Sequence, residues 1–280
     1  IMTFALAWLV RSPAAFRTTT RIIIAAGLLV GLIALQNKMN GIGLVEGTRV
    51  TIGRAIGSIL GDPNDLALVL LLPASFALAV LLSPREGIGM RIFAAAGFVA
   101  VFFAIIATQS RGGLMGITAV MGTFAWRRVP NKGIWFAAAA MALVLLFVLA
   151  GIGDRASGGG YPKGIDESAM GRIYAWGAAW RMALSHPFTG VGLNNFLSNY
   201  WAFSSHWDGQ NHAVHSTWFG VVAETGFLGL GLFLTMVAVT VKSAVCAVGN
   251  LARGRSHSDR AALIMAQAVE AGLFGFMVSG

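Results

Sequence analysis

The sequence has few charged residues, one cysteine and none of the common metal- or nucleotide-binding motifs. Charged residues make up 11% of its 280 residues and hydrophobic residues 56%, whereas a soluble domain is roughly 25% charged. This composition argues against a soluble enzyme and predicts a polytopic membrane protein. Cys246 has no second cysteine with which to form an intrachain disulfide. The H-E-x-x-H pattern of metalloproteases and the GxGxxG pattern of dinucleotide-binding loops are both absent.

What the sequence does have is long apolar runs. They predict an all-α fold, a polytopic transmembrane helical bundle of about eight spans that forms a single transmembrane domain over residues 1–280. The chain starts at Ile1 rather than Met and stops at Gly280 inside an apolar run, so we expect a fragment of a longer chain with its first and last spans truncated. The runs cover residues 1–10, 22–36, 66–83, 92–109, 114–126, 134–150, 216–249 and 261–280.

Basic residues are distributed unevenly among the connections between these runs. Connections 11–21, 84–91, 127–133 and 242–260 have more Lys and Arg than Asp and Glu, whereas loops 37–65 and 151–215 have equal numbers of both signs. Because basic residues accumulate on the cytoplasmic side of a membrane, the two long loops are predicted to face outward. The net charge of +9 then reflects topology, and no nucleic-acid partner is expected.

The outward loop 151–215 is the longest polar segment and is predicted to contain a helix that begins at Ser168 and ends before Pro187. Aromatic residues make this helix suitable for lying at the membrane interface. Arg172 and Trp176 share one of its faces at i, i+4 spacing. Simple membrane anchoring by the aromatic residues is the alternative to a binding role.

Three arginines are candidates for binding an anion at the outer face. Only 15 residues separate Arg111, in the motif SRGG, from Arg127, and a helix of that length is shorter than the ~30 Å hydrocarbon core. Arg111 is therefore predicted at the outer interface, as a ligand contact or as a snorkelling side chain. Arg49 and Arg54 are either ligand contacts or ordinary loop charges. In the nearby motif GDPNDLA, Asn64 or Asp65 is predicted to cap the next helix.

His212 and His215 stand three residues apart at the start of a long apolar run, and a helix would place them on one face. They could form a metal site with His206 or Asp208, act structurally at the interface, or supply a general base, since histidine titrates near neutral pH. Glu224 would point away from His215 on a continuous helix and needs a partner such as an arginine.

One combination of these residues resembles a known family. His215-Ser216, nine further residues and then Gly226-Phe227-Leu228-Gly229 are similar to the H-[N/S/Q]-x9-G-x-x-G pattern of the O-antigen ligase and O-antigen polymerase superfamily. The segments GDPNDLA, SRGG and GR…W…HPFTGVGLNNF are also similar to that family, so that the resemblance covers about residues 45–235 in order. The pattern does not separate ligases from polymerases or from protein O-oligosaccharyltransferases.

The resemblance implies a metal-independent glycosyltransferase of the bacterial inner membrane. Such an enzyme moves a glycan from undecaprenyl pyrophosphate to a hydroxyl of a lipid, glycan or protein acceptor at the periplasmic face, without a cofactor. By resemblance His215 is the catalytic base, and Arg111 and Arg172 bind the pyrophosphate, for which guanidinium groups are well matched.

Further residues are expected to support this site, namely Ser216, Arg49, Trp176 and Glu224. A polytopic transporter or flippase for lipid-linked oligosaccharides is the main alternative, because Glu224 and Glu270 lie within apolar runs. A purely structural membrane subunit is a second alternative.

Overall fold

The structure is a computed structural model that describes residues 12–83, 86–126, 128–149, 167–253 and 257–280. Within these ranges the chain forms α-helices, two short 3-10 helices and no β-strand, so the prediction of an all-α fold is confirmed. The described α-helices are α1 Pro13–Asn40, α2 Pro63–Leu81, α3 Ile88–Thr108, α4 Arg111–Trp126, α5 Lys132–Leu149, α6 Glu167–Ser185, α7 Phe196–Phe203, α8 Thr217–Leu251 and α9 His257–Ser279.

Five helices in the described part of the chain are long and apolar enough to cross a membrane. They are α1, α2, α3, α8 and, within α9, Arg260–Ser279. The helix α4 has only 16 residues, and the apolar part of α5, Lys132–Leu146, is also shorter than these candidates. The predicted run 1–10 lies outside the described residues. A multi-pass membrane protein is thus supported, whereas a count of about eight spans stays a prediction.

The chain divides into two compact units, the first formed by Ile1–Gly153 with Val241–Ser279. In the first unit small residues bring helices close together, as is common in membrane bundles. A Cβ added to Gly27 of α1 would lie 2.2 Å from Cβ of Pro73 in α2, and one added to Gly113 of α4 would lie 2.5 Å from Cβ of Ala67. Leu70 is among the fully buried side chains of this core.

The helix α2 is capped by a residue that precedes the two predicted ones. The carboxylate of Asp62 accepts hydrogen bonds from the backbone N–H groups of Asn64, at 2.7 Å, and Asp65, at 3.4 Å. Asp62 is therefore the N-cap, and Pro63 begins the helix. The prediction of Asn64 or Asp65 as the cap is wrong, because Pro63 suits the first helical position, where its missing N–H costs nothing.

The second unit comprises Asp154–Thr240 together with Gly280. It contains α6, α7 and the first two-thirds of α8, and its core is built on three alanines of α6 that let the neighbouring segments approach closely. The buried residues of this core are Ala175, Ala178, Ala179, Met182, Phe196, Tyr200 and Ala223. The prediction of one transmembrane domain over 1–280 is not tested by this division and stays a prediction.

Candidate active site

The second unit is organised around a kink in α8 at Gly226. This residue has φ 68° and ψ −170°, a backbone conformation that is essentially restricted to glycine. The kink frees the backbone N–H of Phe227, which donates a 2.7 Å hydrogen bond to the carbonyl of Pro187. A Cβ added to Gly226 would lie 2.5 Å from the same carbonyl oxygen. Gly226 is therefore fixed both by its conformation and by the segment packed against it.

That segment is the loop after α6, which the sequence presents as GVGLNNF. The N–H of Val191 donates to the carbonyl of Ala223 at 2.9 Å, and that of Gly192 donates to the carbonyl of Glu224 at 3.1 Å. Gly190 has φ 62°, and a Cβ there would lie 2.3 Å from the carbonyl carbon of Glu224. The two glycine-containing motifs are consequently one packed assembly, held by backbone hydrogen bonds across a distance that only glycine allows.

The carboxylate of Glu224 completes this assembly. Its Oε1 accepts a 3.2 Å hydrogen bond from the backbone N–H of Phe196, the first residue of α7. Asn195 makes no side-chain cap at this helix end, so a residue of α8 takes that role, and its charge suits the positive end of the helix dipole. The expected arginine partner of Glu224 is thus replaced by a helix N-terminus in this contact.

His215 lies immediately before α8 and not within it. Residues 211–216 are non-helical, so the expectation that a helix places His212 and His215 on one face is wrong. His215 has φ 45°, an uncommon conformation for a side chain larger than glycine, and it is exposed. The next residue, Ser216, has a carbonyl that accepts the N–H of Gly220 at 2.9 Å, within the first turn of α8. Backbone strain of this kind is often found at functional sites.

Two contacts between aromatic rings show that α6 and α8 run in the same direction. The ring of Trp176 stacks on Phe219 with centroids 5.1 Å apart, and that of Trp180 meets Phe227 edge-on at 5.6 Å. The indole Nε1 of Trp176 also donates to the carbonyl of Val214 at 3.2 Å. Trp176 therefore binds directly to the residue before His215, and its expected supporting role at the site stays a prediction.

Arg172 lies one helical turn before Trp176, on the same face of α6. Along the axis of α6, Arg172 is about 6 Å from Trp176. Since α6 and α8 run in the same direction, this displacement is toward the start of α8, where residues 211–216 lie. Its side chain is half-buried. The structure thus brings Arg172, Trp176 and His215 to one end of the second unit.

His212 is hydrogen-bonded to Asp208, which the sequence suggested only as a possible metal ligand beside it. Its Nε2 lies 2.9 Å from Oδ2 of Asp208, and its ring meets that of Tyr200 edge-on at 5.5 Å. The hydrogen bond from His212, with a second one from the N–H of Gln210, lowers the pKa of Asp208 below its ordinary value. Among the described residues no three His, Cys, Asp or Glu side chains come together as metal ligands.

Arg111 belongs to the first unit, where it is the first residue of α4. The preceding residue, Ser110, accepts the N–H of Gly113 on its hydroxyl at 3.2 Å and the N–H of Leu114 on its carbonyl at 2.9 Å. Ser110 therefore occupies the N-cap position, and Arg111 lies where the helix dipole favours anions. Arg49 is buried beneath this corner.

Comparison with known proteins supports the family resemblance. Residues 96–234 match the family model described as O-antigen ligase. This part of the chain is similar to the O-antigen ligase family. The resemblance identified from the sequence motifs is thereby confirmed. Neither the search of curated proteins nor the search of solved structures gave a match.

The O-antigen ligase match includes Arg111, Arg172 and His215, and with them both glycine-containing motifs of the second unit. It indicates a membrane enzyme of the glycan-ligase type. Arg49 and the motif GDPNDLA lie outside the matched residues. Sequence reasoning missed two contacts, the hydrogen bond between His212 and Asp208 and the one that the hydroxyl of Ser110 donates to Asn64 at the start of α4. The i, i+4 spacing of Asp208 and His212 was a weak signal for the first of them.

Proposed function

We propose that the chain transfers a glycan from undecaprenyl pyrophosphate to an acceptor hydroxyl at the periplasmic face of a bacterial inner membrane. The family match supports the ligase type of reaction. The observation that carries the site assignment is His215, an exposed histidine with φ 45° directly before α8. Its imidazole is accessible to a substrate, and Arg172 lies at the same end of the unit.

In this reaction the acceptor oxygen forms a bond with the anomeric carbon of the glycan as the bond from that carbon to the pyrophosphate oxygen breaks. His215 takes the proton of the acceptor hydroxyl, a contribution of roughly 10²–10⁴-fold for a positioned base. The electron pair leaves with undecaprenyl pyrophosphate, which is a good leaving group without protonation by a strong acid.

The leaving group needs cations, and guanidinium groups bind phosphate oxygens with two parallel hydrogen bonds. Arg172 supplies one such group from the same end of the second unit as His215. Arg111 is proposed to supply a second one, supported by its place at the start of a helix, where backbone N–H groups also favour an anion. Metal independence is part of the proposal, because the donor already has an activated leaving group.

Replacement of His215 tests the proposal. In cells that lack the native gene, His215→Ala should abolish glycan transfer while lipid-linked donor accumulates, since the arginines still bind the donor. His212→Ala is the matched control: it removes the same side chain three residues away, and it should retain substantial transfer. Normal transfer by His215→Ala, with both variants inserted at wild-type levels, would rule out His215 as the general base. Loss of transfer in His212→Ala alone would show that His212, and not His215, is the base.

A further inference from the structure

A largely buried group of polar residues connects three segments of the first unit at the start of α4. We call it the corner network and define it as Arg49, Asn64, Thr108 and Ser110. The Oδ1 atom of Asn64 accepts two hydrogen bonds, one from Nη2 of Arg49 at 3.1 Å and one from the hydroxyl of Ser110 at 2.9 Å. The Nε of Arg49 donates to the carbonyl of Thr108 at 3.2 Å.

Three of its four residues are inside the protein, and Asn64 is half-buried. Arg49 is 6% exposed, Ser110 1% and Thr108 0%, so a lost hydrogen bond here is not replaced by water at no cost. Arg49 is also 3.8 Å from the carboxylate of Glu46. Its guanidinium is therefore engaged on several sides by the protein, which makes it a poor candidate for direct contact with substrate.

The network controls a sharp corner in the chain. Only Gln109 and Ser110 separate α3 from α4, and Gln109 is in the left-handed conformation with φ 50°. Thr108 and Ser110, on either side of it, are both held by the network, and Ser110 caps the helix that begins with Arg111. Asn64 is the common acceptor that connects the cap to Arg49.

We propose that Asn64 is a positioning residue that fixes the start of α4, and with it Arg111, for binding the pyrophosphate. The inference rests on the proposed function. A positional error of about 1 Å at a binding group can cost on the order of 100-fold in rate. A polar network that fixes the position of Arg111 should therefore affect how well the pyrophosphate is bound. It also accounts for the motif GDPNDLA, whose Asp62 caps α2 while its Asn64 reaches α4.

The test measures binding of undecaprenyl pyrophosphate to the full chain in lipid nanodiscs, with undecaprenol as the ligand that lacks the pyrophosphate. Asn64→Leu leaves two buried donors without their acceptor and should weaken undecaprenyl pyrophosphate binding by on the order of tenfold. Asn64→Asp keeps an oxygen in place of Oδ1 and should restore the affinity to within about twofold of wild type. Undecaprenol binding should not change in either variant.

Thr48→Val is the matched control, since it removes an exposed hydrogen bond of 2.9 Å from Thr48 to Gln109 at the same corner. It should bind as wild type does. If Asn64→Leu does not fold, Asn64→Ala replaces it, because it removes the same acceptor with a smaller side chain and leaves the cap residue Ser110 in place. Wild-type affinity in the folded variant, with or without a lower melting temperature, overturns the inference. Equal loss in Asn64→Asp and Asn64→Leu also overturns it.

Arg111→Lys in the same assay separates this inference from the proposed function. Wild-type affinity of Arg111→Lys contradicts the role of the Arg111 fork, whatever Asn64 does. Weak binding by Arg111→Lys together with wild-type binding by Asn64→Leu contradicts the positioning role alone.

Discussion

The start of α4 and the start of α8 are held in opposite ways. At α4, the hydroxyl of Ser110 donates to the side chain of Asn64 in the first turn of α2, and Asn64 also accepts a hydrogen bond from Arg49. At α8, the residues before the helix and at its kink are held through their backbone atoms: the indole of Trp176 donates to the carbonyl of Val214, and backbone hydrogen bonds join the loop after α6 to the kink.

The difference matches what each place is proposed to do. A cation that binds a pyrophosphate benefits from a fixed backbone, and the corner network provides it at the expense of burying charge. A base must meet a hydroxyl brought by a second substrate, and His215 is exposed. The neighbouring segments contact Val214 and the kink at Gly226, and the imidazole of His215 is left accessible.

The largest expected effect comes from breaking the kink. Gly226→Ala places a Cβ 2.5 Å from the carbonyl oxygen of Pro187 in a conformation restricted to glycine. The strain and the overpacking together should cost about 2–5 kcal/mol, seen as a lower melting temperature and a loss of transfer. Gly231→Ala, where an added Cβ meets nothing within 4 Å, is the control. Equal stability of the two variants would show that the kink is not required.

The same residue shows how far sequence reasoning reaches. The pattern H-S-x9-G-x-x-G located Gly226 and the family, and composition gave the all-α class. Neither indicated the kink, because a glycine in an apolar helix is equally consistent with close helix packing.

Hydrogen bonds between residues that are distant in sequence could not be predicted either. The carboxylate of Glu224 binds the start of α7, 28 residues before it in the chain, and Asn64 binds Ser110, 46 residues after it. Spacing rules for a single helix connect residues three or four apart and cannot predict such pairs. Trp176 and Arg172, by contrast, were correctly expected to share a helix, and α6 contains both.

A smaller effect is expected when the guanidinium of Arg172 is replaced without a loss of charge. Arg172→Lys keeps the cation but loses the planar fork that binds two phosphate oxygens. We expect transfer to fall by about tenfold to 100-fold, by analogy with the loss of one preorganised donor, while insertion and melting temperature stay close to wild type. Ile173→Val is the control for a substitution in the same turn of α6, since Ile173 is exposed. Full activity of Arg172→Lys would remove this residue from the pyrophosphate site.

The smallest effect is expected at the pair that holds His212. Because the pKa of Asp208 is lowered in the folded chain, its carboxylate favours the folded state above the ordinary aspartate pKa of about 3.9, and this contribution is lost as the pH falls through the lowered value. The pair is about half exposed, with His212 and Asp208 at 40% and 49%, so solvent screens it strongly. Asp208→Asn should therefore change transfer at neutral pH by less than about twofold, and its slightly lower melting temperature should converge with that of wild type as the pH falls below about 4. A loss of transfer as large as that of His215→Ala would instead place the Asp208–His212 pair within the catalytic site, and the contrast between a supported His212 and an accessible His215 would have to be reversed.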